Sequence, residues 1–363
     1  MEGEMDNAEV DLDDTEGLAA IDASGMLGAL ERFPRQVREA IEIGQGPVEL
    51  PSAEGLKAVV VLGMGGSGIS GDVVASLTAN SLRVPMATVK GYTLPEFVDE
   101  NTLVFAVSYS GNTEETLDCV EGALERGAPV VAVASGGKLA EIAAERDLPL
   151  FQVPAGFQPR AALGYLFVPV LSALERIGLV HGLVGEVGAA CEMLEERVRE
   201  YGVAMPLDDN PAKRLARDLV GFLPVVYGLE GPLAVAALRW KDQFNENSKV
   251  PAFYNWFPEL NHNETVGWQH LEDIGSRCHL IVLREQDEHP RVTRRIAITV
   301  DLIKDNVAHV THVLARGSSQ VERLLDLVCF GDHTSVFLAL ALEQDPTPVA
   351  RIEELKRRLA EEP

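Results

Sequence analysis

The sequence predicts an α/β protein made of two doubly wound domains, each with a mostly parallel sheet flanked by helices. Strand-like apolar runs alternate with helix-like segments in the first half of the chain, which indicates a parallel sheet with helices on both faces. The length of 363 residues fits about two domains. The pattern of strand, glycine turn and helix also recurs, because Pro224–Leu233 can be laid over Val59–Gly68.

The elements of the first domain follow one another along the chain. Apolar residues at helical spacing begin after Asp22 and predict helices that pack on this domain. The predicted strands are Ala58–Leu62, Val84–Val89, Thr102–Ser108 and Val130–Ala134. The predicted helices are Ser67–Leu77, Thr113–Arg126, Lys138–Glu145, Phe167–Ile177 and Glu186–Tyr201.

The second domain is expected beyond Pro206–Lys213, whose composition makes it the best linker candidate. Besides a helix that begins at Leu233, its predicted strands and helices are Leu280–Leu283, Arg291–Asn306, Val310–Leu314 and Val321–Leu342. Residues 1–16 are strongly acidic with almost nothing to bury, which is typical of a disordered tail. We expect an acidic disordered tail over 1–20, N-terminal helices and the first domain with connecting helices over 21–204, and the second domain with a C-terminal helix over 205–363.

The charge and the cysteine content exclude several function classes. The net charge of -25 would repel nucleic-acid phosphates and anionic lipids, so we expect neither a nucleic-acid partner nor a membrane partner. No apolar run approaches the length of a membrane span, and the N-terminus lacks a secretory-signal pattern. The four cysteines form no C-x-x-C pair, which is typical of buried free thiols in a reducing compartment. A cytoplasmic protein is expected.

A glycine-rich loop follows the first predicted strand. Residues Gly63–Gly68 satisfy the pattern G-x-G-x-x-G, which holds a pyrophosphate in dinucleotide-binding units. Such a unit needs an acidic residue at the end of the second strand to bind the ribose hydroxyl, and this chain has Lys90 there. A nicotinamide dinucleotide is therefore the minor interpretation, and we expect no cofactor.

The loop after the third predicted strand places three hydroxyls, those of Ser108, Ser110 and Thr113, directly before a helix. A helix N-terminus attracts anions, and neutral hydroxyls add donors there. A single hydroxyl would be enough to cap the helix, and that remains the alternative for Ser110 or Thr113. One phosphate monoester bound between Ser67 and this loop would explain both glycine-rich turns.

These two loops carry a resemblance to a known family. Gly63–Asp72 followed by Val107–Thr116 resembles the sugar isomerase (SIS) domain, a phosphosugar-binding α/β module. Three later segments resemble the bifunctional phosphoglucose/phosphomannose isomerases, namely Gln158–Tyr165, Asn245–Phe253 and Pro258–Trp268. The similarity runs in order from about residue 22 to the C-terminus, and it implies that both domains are of the SIS type.

The resemblance implies an aldose–ketose isomerase that interconverts fructose 6-phosphate with glucose 6-phosphate and mannose 6-phosphate, without a metal ion. That reaction opens the sugar ring and then moves a proton between C1 and C2 through a cis-enediol. It needs a phosphate site, a carboxylate base, an acid near the ring oxygen and a cation beside the enediolate. The phosphate would bind Ser67, Ser108, Ser110 and Thr113, with Gly65 and Gly66 in the substrate loop.

The resemblance also assigns the catalytic roles. Glu246 would be the base that carries the proton, and Arg160 would stabilise the enediolate. His262 would open the ring in the site of the neighbouring subunit, which implies a homodimer. Lys356 would add a polar group from the closing helix, and Thr347 would leave room for both C2 epimers.

Each assignment has a plainer alternative. Glu246, Arg160 and Lys356 could be ordinary surface charges or ion pairs, and Thr347 could belong to an ordinary turn. His262 could cap a helix, lie in the core or bind a metal with His270 and Glu264, although their spacing matches no common ligand pattern. Two other function classes also stay open: a non-catalytic phosphosugar sensor, and another SIS-family sugar-phosphate isomerase.

Overall fold

A computed structural model of the chain describes residues 10–270 and 272–361. The strands of the first half are β1 Ala58–Leu62, β2 Met86–Val89, β3 Thr102–Val107, β4 Val130–Ala134 and β5 Leu150–Gln152. They form one parallel sheet in the order β2-β1-β3-β4-β5. The helices of this half are α1 Thr15–Ile21, α2 Met26–Glu31, α3 Phe33–Gly44, α4 Gly65–Thr78, α5 Glu114–Glu125, α6 Gly137–Glu145, α7 Leu163–Arg176 and α8 Leu183–Tyr201.

The second half repeats this plan with fewer strands. Its strands are β6 Leu223–Leu229, β7 Phe253–Phe257, β8 Cys278–Arg284 and β9 His309–Leu314. They form a parallel sheet in the order β7-β6-β8-β9. The helices are α9 Pro211–Asp218, α10 Pro232–Gln243, α11 Glu264–Gly267, α12 Glu272–Gly275, α13 Pro290–Ile303, α14 Gln320–Ala341 and α15 Ala350–Glu361. The predicted class, two doubly wound parallel sheets flanked by helices, is confirmed.

The strand order of the first sheet brings the two predicted phosphate loops together. β1 lies between β2 and β3, so the chain leaves β1 and β3 in opposite directions along the sheet. Leu62 pairs in register with Ala106, so the loop after β1 and the loop after β3 begin side by side. In open α/β sheets, ligands bind at such a switch point, outside the carboxyl ends of the strands.

The core explains why the central strands are so apolar. Every residue of β1, β3 and β4 is buried, because helices cover both faces of the sheet. In the second half, α14 is long and apolar enough to cross a membrane by length and composition, contrary to the expectation that no run would reach that length. However, 94% of its 18-residue apolar window is buried inside the protein, so α14 is a core helix.

Several predicted boundaries shift for identifiable reasons. The predicted strand Val84–Val89 begins only at Met86, because Pro85 has no N–H group for the ladder. β5 and β7 were missed, although the other two edge strands, β2 and β9, were predicted. β5 has only three residues, and Asn255 interrupts the apolar run of β7. The linker candidate Pro206–Lys213 contains the start of α9, where the Asn210 side chain accepts hydrogen bonds from two backbone N–H groups.

The prediction of a disordered tail over residues 1–20 is wrong for the described part of that segment. α1 is helical, and Leu12 and Leu18 are 3% and 0% exposed. Burying a leucine stabilises by roughly 1.5–3 kcal/mol relative to leaving it exposed, which offsets part of the cost of ordering this segment. The Asp13 carboxylate also accepts a hydrogen bond from the Lys213 ammonium at 3.0 Å. The remaining residues of the predicted tail, 1–9, lie outside the described residues.

Candidate active site

The glycine-rich loop after β1 delivers the N-terminus of α4 to the switch point. Gly65 has a φ of +49°, a backbone conformation that favours glycine. A Cβ atom on Gly66 would lie 2.9 Å from both the Pro159 carbonyl and the Arg160 amide nitrogen. Glycine at residue 66 therefore allows this helix N-terminus to approach the turn that carries Arg160. The unsatisfied N–H groups and the dipole of a helix N-terminus favour an anion there.

The hydroxyl-rich loop after β3 lies against the first loop. The backbone N–H of Tyr109 donates to Ser67 Oγ at 3.1 Å, and this contact joins the two loops. The hydroxyls of Ser108 and Thr113 are 2.9 Å apart. Thr113 occupies the N-cap position of α5, but its hydroxyl makes no capping hydrogen bond. The capping alternative therefore does not apply to Thr113, and Ser110 is exposed at the rim of the loop.

Arg160 is buried at 3% exposure, and protein acceptors fix its guanidinium. Nε donates to Asn247 Oδ1 at 2.7 Å. Nη2 donates to the carbonyls of Pro346 and Thr347 at 2.9 and 2.8 Å. Nη1 faces the Glu246 carboxylate, with 3.4 Å to Oε2. Burial lowers the pKa of Arg160, and the attraction of Glu246 opposes that shift. The alternative of a surface ion pair is therefore wrong for Arg160.

Glu246 lies in a π-helical turn, Phe244–Ser248, that continues α10. Single π turns of this kind are frequent at functional sites, where they redirect a side chain. The Glu246 side chain is 27% exposed, so it is neither fully buried nor freely solvated. Burial raises the pKa of Glu246, Arg160 opposes that effect, and Asp242 adds to it. A carboxylate with a raised pKa is a stronger base than a solvated one.

His262 is exposed at the end of a short 3-10 helix, Glu259–His262. Within the described residues, no hydrogen bond or ion pair joins His262 to Arg160 or Glu246. The residues on either side of His262 are held by hydrogen bonds. Asn261 donates to Thr299 Oγ1 at 2.7 Å. Glu264 accepts hydrogen bonds from Tyr227 and from Asn255. No group of three or more His, Cys, Asp or Glu side chains in the described part of the chain lies close enough to hold a metal ion.

The C-terminal candidates fall into different environments. Lys356 is exposed on α15, a helix whose described residues include none that is buried. Its apolar residues Ile352, Leu355 and Leu359 are exposed as well. Thr347, by contrast, borders the Arg160 guanidinium through its carbonyl, and its hydroxyl oxygen is buried without a hydrogen-bond partner among the described residues. Within the described residues, the chain therefore brings Thr347, but not Lys356, into contact with Arg160.

Comparison with known proteins places this arrangement in a family. The SIS domain family matches residues 56–150, and the family described as bacterial phospho-glucose isomerase C-terminal SIS domain matches residues 208–359. A bifunctional phosphoglucose/phosphomannose isomerase from Caldicellulosiruptor bescii is 39% identical over 336 residues, which cover 93% of this chain and 99% of that protein. A protein of the same name from Aquifex aeolicus is 40% identical over 305 residues, 84% of this chain and 90% of that protein. This chain belongs to the bifunctional phosphoglucose/phosphomannose isomerase family.

The family predicted from the sequence motifs is thus confirmed, and with it the prediction that this chain is an isomerase. A solved structure of a hypothetical protein from Thermus thermophilus superposes with a TM-score of 0.74 at 15% identity, covering 96% of this chain and 94% of that one. At that identity, the likeness shows the fold alone. The first SIS match contains both phosphate loops, and the second match contains Glu246 and His262.

In this isomerase-family member, Arg160 is supported by a buried network of hydrogen bonds and an ion pair. The sequence patterns did not predict this network. Arg239 donates to the Arg160 carbonyl at 2.8 Å and forms an ion pair with Asp332, with a shortest distance of 2.6 Å. Gln243 donates to the same carboxylate at 2.8 Å. Arg239, Gln243 and Glu246 recur at helical spacing, which is the signal that could have grouped them. Asp332 is far away in sequence and has no such signal.

Proposed function

We propose that this chain interconverts fructose 6-phosphate with glucose 6-phosphate and with mannose 6-phosphate, through ring opening and a cis-enediolate. The observation that carries this proposal is the partly buried pair of Arg160 and Glu246 beside two anion-binding loops. Family membership supports the substrates, because the relatives are named for phosphoglucose and phosphomannose. Enediolate chemistry requires a base that removes the proton and, beside it, a fixed positive charge that stabilises the negative charge on the substrate oxygen.

The phosphate is proposed to bind between Ser67 and the loop that contains Ser108, Ser110 and Thr113. Two helix N-termini, those of α4 and α5, supply backbone N–H groups at this point. Hydroxyls donate hydrogen bonds to the phosphate oxygens without adding a fixed charge. Binding energy from the phosphate, which does not react, can then be used to orient the reacting carbons near Glu246.

Proton transfer is assigned to Glu246. Its ionised carboxylate would remove the C2 proton of the open-chain aldose and return it to C1, while the hydroxyl proton on O2 moves to O1, which yields the ketose. The negative charge that develops on the substrate oxygen needs a cation, and Arg160 Nη1 is the guanidinium nitrogen that faces the carboxylate instead of a carbonyl or an amide oxygen. Burial strengthens this stabilisation because little water competes for the charge.

Ring opening is assigned to His262 of the neighbouring subunit in a homodimer. Two observations support this assignment. His262 is exposed and, within the described residues, makes no hydrogen bond or ion pair with Arg160 or Glu246 of its own chain. The hydrogen bond from Asn261 to Thr299 holds its segment in place, so the side chain is available to a neighbouring subunit. Lys356 is assigned a polar role on the same grounds, since α15 exposes it together with an apolar stripe. Acceptance of both C2 epimers is assigned to Thr347 from the family resemblance, and the hydrogen bond from Arg160 to the Thr347 carbonyl supports a place for this residue at the site.

Separate assays of fructose 6-phosphate conversion to glucose 6-phosphate and to mannose 6-phosphate, with EDTA present, test this proposal. We expect metal-independent turnover to both products, and its loss in Glu246→Gln, which keeps the shape of the side chain but removes the base. Saturable binding without turnover would favour a phosphosugar sensor. Turnover of a different sugar phosphate only would favour another SIS-family isomerase.

A cytoplasmic location also stays a prediction, to be checked by fractionation.

A further inference from the structure

Lys249 ends the π-helical turn that carries Glu246. Its φ of +58° lies in the left-handed region, which glycine usually occupies at the end of a helix. The ammonium returns to the end of the same turn and donates to the carbonyls of Glu246 and Asn247 at 2.7 and 3.2 Å. A lysine thus satisfies helix-end carbonyls at a position where glycine would be less strained, which indicates that its side chain is required there.

The third acceptor of Lys249 lies in a different part of the chain. Its ammonium donates to the Pro346 carbonyl at 2.9 Å, and Arg160 Nη2 donates to that same oxygen at 2.9 Å. The turn that presents this carbonyl is fixed on its other side by Asp345, which accepts hydrogen bonds from Ser24 Oγ and from the Thr347 backbone N–H. Lys249 therefore joins the turn that bears Glu246 to the turn that bears Thr347.

We propose that Lys249 is a positioning residue of the isomerase site, whose ammonium holds the Glu246 turn against residues 345–347 and so fixes the carboxylate relative to Arg160. The three N–H bonds of an ammonium match the three carbonyls that Lys249 contacts. A neutral amine has only two N–H bonds and no charge, so deprotonation would release one carbonyl and weaken the other contacts. The proposal rests on the proposed function, in which Glu246 is the base.

The charges around Lys249 set the pH at which this contact would weaken. Burial, and next the positive charge of Arg160, lower the pKa of Lys249 to about 8, whereas Asp345 and Glu246 favour the ammonium. These three groups lie in three different segments of the chain. Because the pKa is lowered to about 8, half of the Lys249 ammonium groups are deprotonated near pH 8, and the remainder are lost as the pH rises further. Activity is therefore expected to decline on the alkaline side as Lys249 deprotonates.

The test compares Lys249→Gln and Lys249→Arg with Lys304→Gln, a control in which the lost charge belongs to an exposed pair with Asp301. Turnover of fructose 6-phosphate is followed directly by NMR between pH 6 and pH 10, so that no coupling enzyme limits the range. In Lys249→Gln we expect kcat to fall roughly tenfold or more at pH 7, since small misplacements of reacting groups are costly, with little change in KM. Lys249→Arg should lose the alkaline decline because its charge persists, and Lys304→Gln should match the wild type.

An alkaline decline that persists unchanged in both Lys249 variants would overturn the proposal. Failure of the proposed function looks different, because the wild type itself would then show no turnover. In that case, the rate of amide hydrogen exchange in residues 244–250 at pH 7 tests whether Lys249 holds the two turns together. Faster exchange in Lys249→Gln, but not in Lys304→Gln, would support the contact between the two turns, and equal exchange would reject it. Circular dichroism of each variant verifies that it is folded.

Discussion

Arg160 and Glu246 form an ion pair whose closest approach, 3.4 Å between Nη1 and Oε2, is longer than the 2.7 Å hydrogen bond from Arg160 Nε to Asn247. Charge-assisted hydrogen bonds usually lie near 2.7–2.9 Å, so the guanidinium is bound tightly to the protein and loosely to the carboxylate. In the proposed mechanism, this difference would leave Glu246 free to accept a proton while Arg160 stays fixed. Preorganised charge next to a mobile proton is the arrangement that favours an enediolate intermediate.

Arg160→Lys is expected to lower kcat/KM by roughly 10²–10³-fold, the range seen when one preorganised donor of an anion is removed. Lysine keeps the charge but cannot donate to Asn247, to two carbonyls and to the enediolate at once. Steady-state kinetics of both substrates measure the loss. Arg35→Lys on the surface of α3 is the control, since the Arg35 side chain is 76% exposed. Retention of normal kcat/KM in Arg160→Lys would remove Arg160 from the mechanism.

Ser67→Ala is expected to raise KM for the phosphorylated substrate by roughly tenfold or more while changing kcat less, because Ser67 is assigned to the phosphate and not to the reacting carbons. A lost hydrogen bond to a charged group is worth roughly 1.5–3 kcal/mol. The matched control is Ser76→Ala on the same helix; among the described residues, the Ser76 hydroxyl donates only to the Val73 carbonyl, at 2.9 Å. Inhibition by inorganic phosphate should weaken in parallel in Ser67→Ala, and equal inhibition in both variants would argue against a phosphate site here.

The sequence allowed some of these features to be predicted and not others, for physical reasons. The strands β1, β3 and β4 are apolar throughout because both faces are buried, so their patterns are strong, whereas the edge strands β5 and β7 lack that signal. The phosphate loops are likewise local patterns of glycine and hydroxyl residues. The contacts that fix Arg160 join it to Asn247, 87 residues away, and to the Pro346 carbonyl, 186 residues away. No local pattern encodes such pairings, and only the family resemblance pointed to Arg160.

The stability of the N-terminal segment is expected to depend on pH through Asp13. The hydrogen bond from Lys213 lowers the pKa of Asp13. A lowered pKa means that the folded state favours the carboxylate, so this stabilisation is present above the ordinary aspartate pKa of about 3.9 and is lost as the pH falls through the folded value. Asp13→Asn should therefore lower Tm at pH 6, and the difference from the wild type should shrink below about pH 4. Thermal unfolding at both pH values measures this; a difference that does not change with pH would contradict the assignment.

Mixing two inactive variants tests whether His262 acts in the site of the neighbouring subunit. If each site combines Glu246 of one protomer with His262 of the other, a heterodimer of Glu246→Gln and His262→Ala contains one intact site and one site with both changes. Random re-association of equal amounts makes about half of all dimers heterodimers, so roughly a quarter of wild-type activity should return. Each variant alone, treated in the same way, should stay nearly inactive. If both residues served the same protomer's site, no activity would return, because every protomer would still lack one of them. That result would place His262 in the site of its own protomer.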